Sequence, residues 1–193
     1  MGSKEAASLY RDILNYFYEK TLSRLPDQFQ IYWLCDPSTA ERSYQELFKS
    51  TGFPVKMQKG NDLGEKLCHG AGLLLNHHDQ AFLVGGDCIE LSPAIFKEAS
   101  KQLNQHDVCV GPASDGGYYL IGIKTLMPEL FQNIPWGTEK VLDATLTQAS
   151  QLSLKHSLTE TLNDIDLPED WERIKQLHSK IQNTEKLFGN DKE

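Results

Sequence analysis

The segment from Phe82 to Pro93 most strongly constrains the fold, because it predicts a short buried strand followed by a helix. The apolar run Phe82–Val84 is too short for a helix and stops at two glycines. Ser92 can cap a helix whose first residue is Pro93. In an open α/β sheet, ligands bind beyond the carboxyl ends of the strands. Asp87 is therefore expected where substrates bind.

Strands and helices alternate along most of the chain, which indicates crossover units and helices on both faces of one sheet. Helices are predicted over Lys4–Leu25, Ser38–Lys49, Asp62–Asn76, Pro93–Leu103 and Thr138–Ala149, and from Pro168. Strands are predicted over Phe29–Cys35, Phe53–Met57, Ala81–Val84, Val108–Val110, Tyr118–Ile123 and Leu152–Leu158. No helix separates Val108–Val110 from Tyr118–Ile123, so the latter can run antiparallel. We expect one α/β domain over residues 1–193, with a mixed, mostly parallel sheet and a polar tail at about 183–193.

The acidic composition limits the classes of molecule that the protein is expected to bind. A net charge of −8 in 193 residues argues against binding a nucleic acid polymer. No apolar run approaches the roughly 20 residues that cross a bilayer, and the start does not resemble a signal peptide. We expect a cytoplasmic protein without a membrane span, and a homo-oligomer is left open. An acidic protein can still bind a nucleotide when a divalent cation bridges phosphate and carboxylate.

Carboxylates recur in three turns at predicted strand ends: Gly85-Gly86-Asp87, Ser114–Gly117 and Asn163–Asp166. Two separated aspartates, with substrate phosphates and water, suffice to hold Mg²⁺ or Mn²⁺. Each turn also has a simpler interpretation. Asp115 followed by glycine is typical of a hairpin turn, and Asp164 and Asp166 stand where acids stabilise a helix N-terminus.

Other residue patterns are less specific. The loop Gly60–Gly64 offers backbone N–H groups to an anion, but a capped turn has the same composition. Trp136 can cover a cleft or pack. Cys88 follows Asp87 but has no basic neighbour in sequence, so a buried thiol is favoured over a nucleophile. The chain contains neither GxGxxG, GxxxxGK[ST] nor GxSxG, and its histidines show no metal-ligand spacing.

Together, five sequence blocks resemble the DUF2064 family of GT-A-like glycosyltransferases and occur in the same order. These are Gln58–Glu65, Gly85–Cys88, Gly111–Gly122, Ile134–Thr138 and Asp164–Asp170. The block GPASDGGYYLIG is the most specific of them. The resemblance covers about residues 4–174.

The resemblance implies a nucleotide-diphospho-sugar transferase fold and a transferase that acts on a nucleotide-activated substrate. Asp87 and Asp166 would bind Mg²⁺ or Mn²⁺, and Asp115 would be catalytic on the acceptor or sugar side. Nucleotide contacts would come from the loop residues and glycines of the other blocks: Gln58, Gly60, Asp62, Gly64, Gly86, Gly116 and Gly117. The substrates would be a nucleotide-sugar, or a nucleoside triphosphate, and an acceptor that the sequence does not identify.

Three departures from the family pattern leave alternatives open. The family usually begins with a strand and a basic loop resembling PGxxKTRL, whereas this chain begins with a helix. Ile89 replaces the usual proline, and Leu167 replaces the usual threonine. Without the first strand, we expect the neighbouring strand edges to be exposed. Glycosyl transfer is the leading hypothesis; nucleotidyl transfer and a degenerate, non-catalytic binding module are the alternatives.

Overall fold

The computed structural model describes residues 3–36 and 41–163. Five α-helices fall within this part of the chain: α1 (Ser3–Lys20), α2 (Glu41–Leu47), α3 (Leu63–Leu75), α4 (Pro93–Leu103) and α5 (Val141–Gln151). Short 3₁₀ turns occupy Leu22–Arg24, Lys49–Thr51 and Pro128–Phe131. No helix of the described residues is both long and apolar enough to span a bilayer.

The six strands of the described residues form two separate pieces of sheet. They are β1 (Trp33–Cys35), β2 (Val55–Met57), β3 (Ala81–Val84), β4 (Val108–Pro112), β5 (Tyr118–Ile123) and β6 (His156–Leu158). β1 and β2 pair in parallel. The larger piece has the order β3-β5-β4-β6, in which β5 is antiparallel to both neighbours and β6 is parallel to β4. Three of its four strands therefore run in one direction, and the α/β fold with mixed sheets is confirmed.

Two apolar clusters cover opposite faces of the strands. One contains Phe17 of α1, Phe96 and Leu103 of α4, and Leu120 of β5. The other contains Ala71 of α3 and Ala149 of α5 together with strand residues such as Val110 and Ile121. Adjacent strand residues point to opposite faces, so Leu120 and Ile121 belong to different clusters. The result is a three-layer arrangement of helices on both sides of the strands.

Most predicted elements are present, but several are shorter than expected. The N-terminal helix ends at Lys20 instead of Leu25, and its last residues form the separate 3₁₀ turn. The strand predicted from Phe29 begins only at Trp33, because Phe29 closes a turn by donating to the Pro26 carbonyl at 2.9 Å. The predicted helix start at Ser38, the helix from Pro168 and the polar tail lie outside the described residues.

Hydrogen bonds in the preceding loops explain where β2 and α5 begin. Val55 starts β2 instead of Phe53, whose N–H donates to the Thr51 hydroxyl at 3.3 Å. α5 starts three residues after Thr138, because that hydroxyl is used in the preceding turn, where it donates to the Pro135 carbonyl at 2.8 Å. The last described strand begins at His156. Ala81–Val84, Pro93–Leu103 and Tyr118–Ile123 form over the predicted ranges.

Candidate active site

β3 delivers Asp87 to the carboxyl edge of the sheet, as the sequence predicts. The strand ends at Val84, and the Gly85 N–H still donates to the Tyr119 carbonyl of β5 at 3.1 Å. Gly85 leaves room for the Asp87 carboxylate, since a Cβ on that glycine would lie 2.6 Å from Asp87 Oδ1. Asp87 itself is exposed, whereas the next residue, Cys88, is fully buried. The turn thus presents a carboxylate to solvent and anchors itself in the core.

Helix α1 closes over this turn at a position that the sequence did not reveal. A Cβ on Gly86 would lie 2.9 Å from Leu14 Cδ2 and 3.4 Å from the Tyr10 hydroxyl. Partial desolvation of the Tyr10 hydroxyl and the nearby charge of Asp87 raise the pKa of Tyr10, although the residue as a whole is 52% exposed. A tyrosine hydroxyl is protonated at neutral pH even at its ordinary pKa, so Tyr10 can donate a hydrogen bond at this edge. Its place in an amphipathic helix gave no signal of that position.

Asp115 lies in the turn between β4 and β5, at the same edge of the sheet. Its Oδ1 accepts the Gly117 N–H at 2.8 Å, and Gly116 adopts a left-handed φ of 90°. The hairpin interpretation is thus correct for the backbone. The carboxylate is nevertheless exposed, and β5 begins beside the end of β3. Asp115 can serve as turn former and still face a ligand.

The Gly60–Gly64 loop forms the N-terminus of α3. Asp62 caps the helix by accepting the Glu65 N–H at 2.8 Å, while Glu65 Oε2 accepts the Asn61 N–H at 2.7 Å. Gly60 has a φ of 143°, and a Cβ there would lie 2.7 Å from Lys66 N. Asp62 is therefore occupied in capping, and the loop keeps a compact shape that requires glycine.

Trp136 packs against this loop, which explains the glycine at its end. A Cβ on Gly64 would lie 2.5 Å from the Phe131 carbonyl oxygen and 2.8 Å from Trp136 Nε1. The Trp136 ring also stands edge-on to Tyr118, with ring centroids 6.2 Å apart. Trp136 is a packing aromatic that joins the Gly60–Gly64 loop to the start of β5. The structure favours that role over a lid.

Two polar pairs at this edge were not anticipated. Asp36 follows β1, and its Oδ2 accepts from Lys66 Nζ at 2.6 Å. Glu90 Oε2 accepts the Asn163 N–H at 3.0 Å and lies 3.3 Å from Asn163 Nδ2. Asp36 was not among the residues predicted for the site. Its position directly after a strand was the available signal, and Lys66 on a helix face gave none.

Gln58 follows β2 and is half-buried, with its N–H donating to the Cys35 carbonyl at 2.8 Å. Cys35 and Cys88 are buried, and burial raises the pKa of Cys35 to about 11. The Cys88 thiol lies 4.0 Å from the Asn163 carbonyl oxygen. Burial excludes both cysteines from nucleophilic chemistry in the folded protein.

The family is decided by a match that spans most of the chain. Residues 24–138 match a family described as uncharacterized proteins conserved in bacteria, DUF2064. The chain belongs to the DUF2064 family. The resemblance seen in the sequence blocks is thus confirmed. No curated protein matches this DUF2064 chain.

Solved structures resemble this DUF2064 protein over most of its length. A provisionally named nucleotide-diphospho-sugar transferase from Desulfovibrio desulfuricans G20 is 29% identical with a TM-score of 0.76, covering 86% of this chain and 72% of that one. A cytidylyltransferase from Leptospira borgpetersenii serovar Hardjo-bovis is 16% identical, TM-score 0.63, covering 94% and 87%. Molybdopterin-guanine dinucleotide biosynthesis protein A from Archaeoglobus fulgidus is 14% identical, TM-score 0.56, covering 87% and 86%. At 16% and 14% identity, the similarity to the last two proteins shows a shared fold alone.

The described part of this DUF2064 protein presents oxygen donors suited to a hard cation, but few of them. Asp87 is the exposed carboxylate at the end of β3, and no three His, Cys, Asp or Glu side chains of the described residues cluster as metal ligands. One carboxylate with substrate phosphates and water fits Mg²⁺, which often takes only one or two protein ligands. The predicted partner Asp166 lies outside the described residues. The site roles of all these residues stay predictions.

Proposed function

We propose that this DUF2064 protein is a metal-dependent transferase that moves a sugar from a nucleotide-diphospho-sugar to an acceptor. The observation that carries the proposal is the exposed Asp87 carboxylate at the sheet edge of a fold shared with a 29% identical relative of that name. Carboxyl ends of strands are where α/β folds bind ligands. An acidic surface is compatible with a diphosphate when a cation lies between them.

Each predicted residue has a chemical role in this proposal. Asp87, with Asp166, would hold Mg²⁺ or Mn²⁺, and the bound cation would neutralise the departing diphosphate. Asp115 would accept a proton from the acceptor hydroxyl, because hydrogen bonding to Gly117 orients its exposed carboxylate. The nucleotide would contact the segment from Gln58 to Gly64 and the glycines Gly86, Gly116 and Gly117.

A calorimetric titration tests the metal and nucleotide roles. The chain is titrated with UDP-, GDP-, CDP- and ADP-sugars in the presence of Mn²⁺. Asp87→Asn should weaken binding by about tenfold or more, since a lost charge-assisted contact costs about 1.5–3 kcal/mol. Asp79→Asn is the matched control, because Asp79 is exposed and lies before β3, at the opposite end of that strand. Equal binding by the Asp87 variant and the native chain would refute the assignment of Asp87.

Nucleotidyl transfer is a second candidate, supported by the cytidylyltransferase whose fold matches 94% of this chain. The two reactions differ in the released product. Sugar transfer releases a nucleoside diphosphate, whereas nucleotidyl transfer from a triphosphate releases pyrophosphate. Measuring both products with Mg²⁺ and Mn²⁺ separates them. Absence of nucleotide binding at millimolar concentrations would favour the non-catalytic module instead.

A further inference from the structure

Glu90 is the exposed residue of a tight turn that directly follows Asp87. The turn is closed by the Leu91 N–H, which donates to the Cys88 carbonyl at 3.3 Å. Cys88, Ile89 and Leu91 are buried, whereas Glu90 is exposed. Close packing of the three apolar side chains fixes the backbone of the turn. The point from which the Glu90 side chain leaves the turn is therefore fixed as well.

The Glu90 carboxylate holds Asn163, which is distant in sequence. Glu90 Oε2 accepts the Asn163 N–H at 3.0 Å and accepts from Asn163 Nδ2 at 3.3 Å. The Cys88 thiol lies 4.0 Å from the Asn163 carbonyl oxygen. Hydrogen bonds to a carboxylate are stronger than those between neutral groups, so Glu90 is the main partner of Asn163 among these contacts. Asn163 is thus held against the turn that follows Asp87.

The residue before Asn163 is bonded to the other carboxylate turn. The Leu162 carbonyl accepts the Ser114 N–H at 3.0 Å, and Ser114 directly precedes Asp115. Leu162 also forms a parallel bridge with the chain just beyond β4. We call Leu162–Asn163 the bridge segment, because its first residue is bonded to the Asp115 turn and its second to the Asp87 turn.

We propose that Glu90 is a positioning residue: by holding the bridge segment, it joins the Asp87 turn to the Asp115 turn. Pairing with β5 fixes where β3 and β4 end, but each carboxylate lies beyond the last residue of its strand. A movement of the bridge segment would therefore change the distance between the two carboxylates. The consequence for nucleotide binding rests on the proposed function, whereas the joining of the two turns does not.

Two substitutions separate positioning by Glu90 from direct contact with a ligand. Glu90→Gln keeps a side-chain oxygen that can accept from both Asn163 donors, but it removes the charge. Glu90→Ala removes the acceptor altogether. A residue that acts by holding Asn163 should be replaced well by glutamine and poorly by alanine. A residue that binds a cation through its charge should be replaced poorly by both.

Amide hydrogen exchange of the full chain, followed by NMR without nucleotide or metal, tests whether Glu90 joins the turns. In Glu90→Ala, exchange at Ser114 should be faster by about tenfold or more, because its acceptor Leu162 is no longer anchored through Asn163. Glu90→Gln should retain most of the protection. Val108, whose N–H donates to Lys155 at the other end of β4, is the internal control.

Unchanged exchange at Ser114 in the alanine variant would overturn the proposal, because the turns would then be joined without Glu90. Thermal unfolding verifies that the variants fold. If Glu90→Ala does not fold, Asn163→Ala replaces it, since that change removes only the contact at 3.3 Å. It should accelerate exchange at Ser114 in the same direction, and no acceleration would be equally decisive against the proposal.

Calorimetric titration with UDP-, GDP-, CDP- and ADP-sugars in the presence of Mn²⁺ tests the consequence for binding. Glu90→Ala should weaken binding by about tenfold, a typical effect of removing a residue that orients a ligand-binding group. Glu90→Gln should bind nearly as the native chain does. Glu98→Ala is the matched control, because Glu98 is exposed on α4 and accepts only from Gln102 Nε2, at 3.1 Å, among the hydrogen bonds of the described residues.

The outcomes separate this inference from the proposed function. Native binding by Glu90→Ala would overturn the positioning role while leaving the proposed function intact. An equal loss in both Glu90 variants, with protected Ser114 in Glu90→Gln, would show that the charge of Glu90 acts on the ligand directly and would also overturn it. If the native chain binds none of the four nucleotide-sugars, the proposed function fails, and exchange at Ser114 still decides whether Glu90 joins the two turns.

Discussion

Replacing Gly116 by alanine tests whether the Asp115 turn is fixed by the segment that follows Trp136. Gly116 has a φ of 90°, and an added Cβ would overlap the Glu139 carbonyl oxygen and lie 2.8 Å from the Glu139 carbonyl carbon. Backbone atoms of a neighbouring segment cannot rotate away as a side chain tip can. Either the turn or the Glu139 segment must therefore move.

The expected loss in the free energy of unfolding has three parts. A left-handed φ costs a residue with a side chain about 1–2 kcal/mol. The Gly116 carbonyl accepts the Leu142 N–H at 2.9 Å, and losing that bond costs about 1 kcal/mol. Overpacking adds about 1–3 kcal/mol. In total, we expect Gly116→Ala to lower the free energy of unfolding by about 4 kcal/mol.

Gly137→Ala is the matched control. Gly137 has a φ of 77°, and an added Cβ would have no neighbour within 4 Å. Only the left-handed backbone conformation is unfavourable for alanine at this position, so we expect Gly137→Ala to lower the free energy of unfolding by about 1 kcal/mol. At about 2–4 °C per kcal/mol for a chain of this size, thermal unfolding should place the Gly116 variant about 6–12 °C below the Gly137 variant. Equal melting temperatures would show that the Glu139 contact does not hold the turn.

Two other predictions concern ionisable groups. The pKa of Asp107 is lowered, first by the Lys155 N–H, which donates to it at 2.9 Å, and then by Lys124, so its ionised form stabilises the fold. That stabilisation is complete above the ordinary pKa of 3.8 and is lost as the pH falls through the lowered pKa. At pH 7, Asp107→Asn should lower the free energy of unfolding by about 1 kcal/mol relative to the native chain, and thermal unfolding measures this difference. The difference should vanish in acid. Cys35, Cys88 and Cys109 are buried, and the pKa of Cys35 is raised to about 11, so all three should react with a maleimide at pH 7 only after unfolding. Mass spectrometry of the native and the urea-unfolded chain checks this, and rapid labelling of the native chain at these cysteines would contradict the buried placement.

The helices and strands whose bounds were predicted correctly are those with local sequence signals at their ends. Ala81–Val84 is followed by two glycines, and Pro93 opens α4 behind Ser92. The capping role of Asp62 was likewise readable, because the acid and Glu65 stand three residues apart before an apolar run.

Contacts between distant segments were not readable from the sequence. Phe29 looked like a strand residue because it is aromatic, but its ring packs against Phe82 and Phe96 from a turn. Tyr10 and Lys66 reach the sheet edge through the placement of their helices. Periodicity identifies which face of a helix is apolar but not which strand end it crosses.

Two strand ends connect the fold to the candidate site. Asp87 follows β3 and Asp36 follows β1, and both lie beyond the carboxyl ends of their strands. Lys66 Nζ donates to Asp36 Oδ2 at 2.6 Å, so the charge of Asp36 is balanced within the chain, whereas Asp87 is exposed. If Asp87 binds the cation, Asp36→Asn should weaken nucleotide and Mn²⁺ binding much less than Asp87→Asn does in the same calorimetric titration. An equal loss of binding in the two variants would show that the site extends to the end of β1.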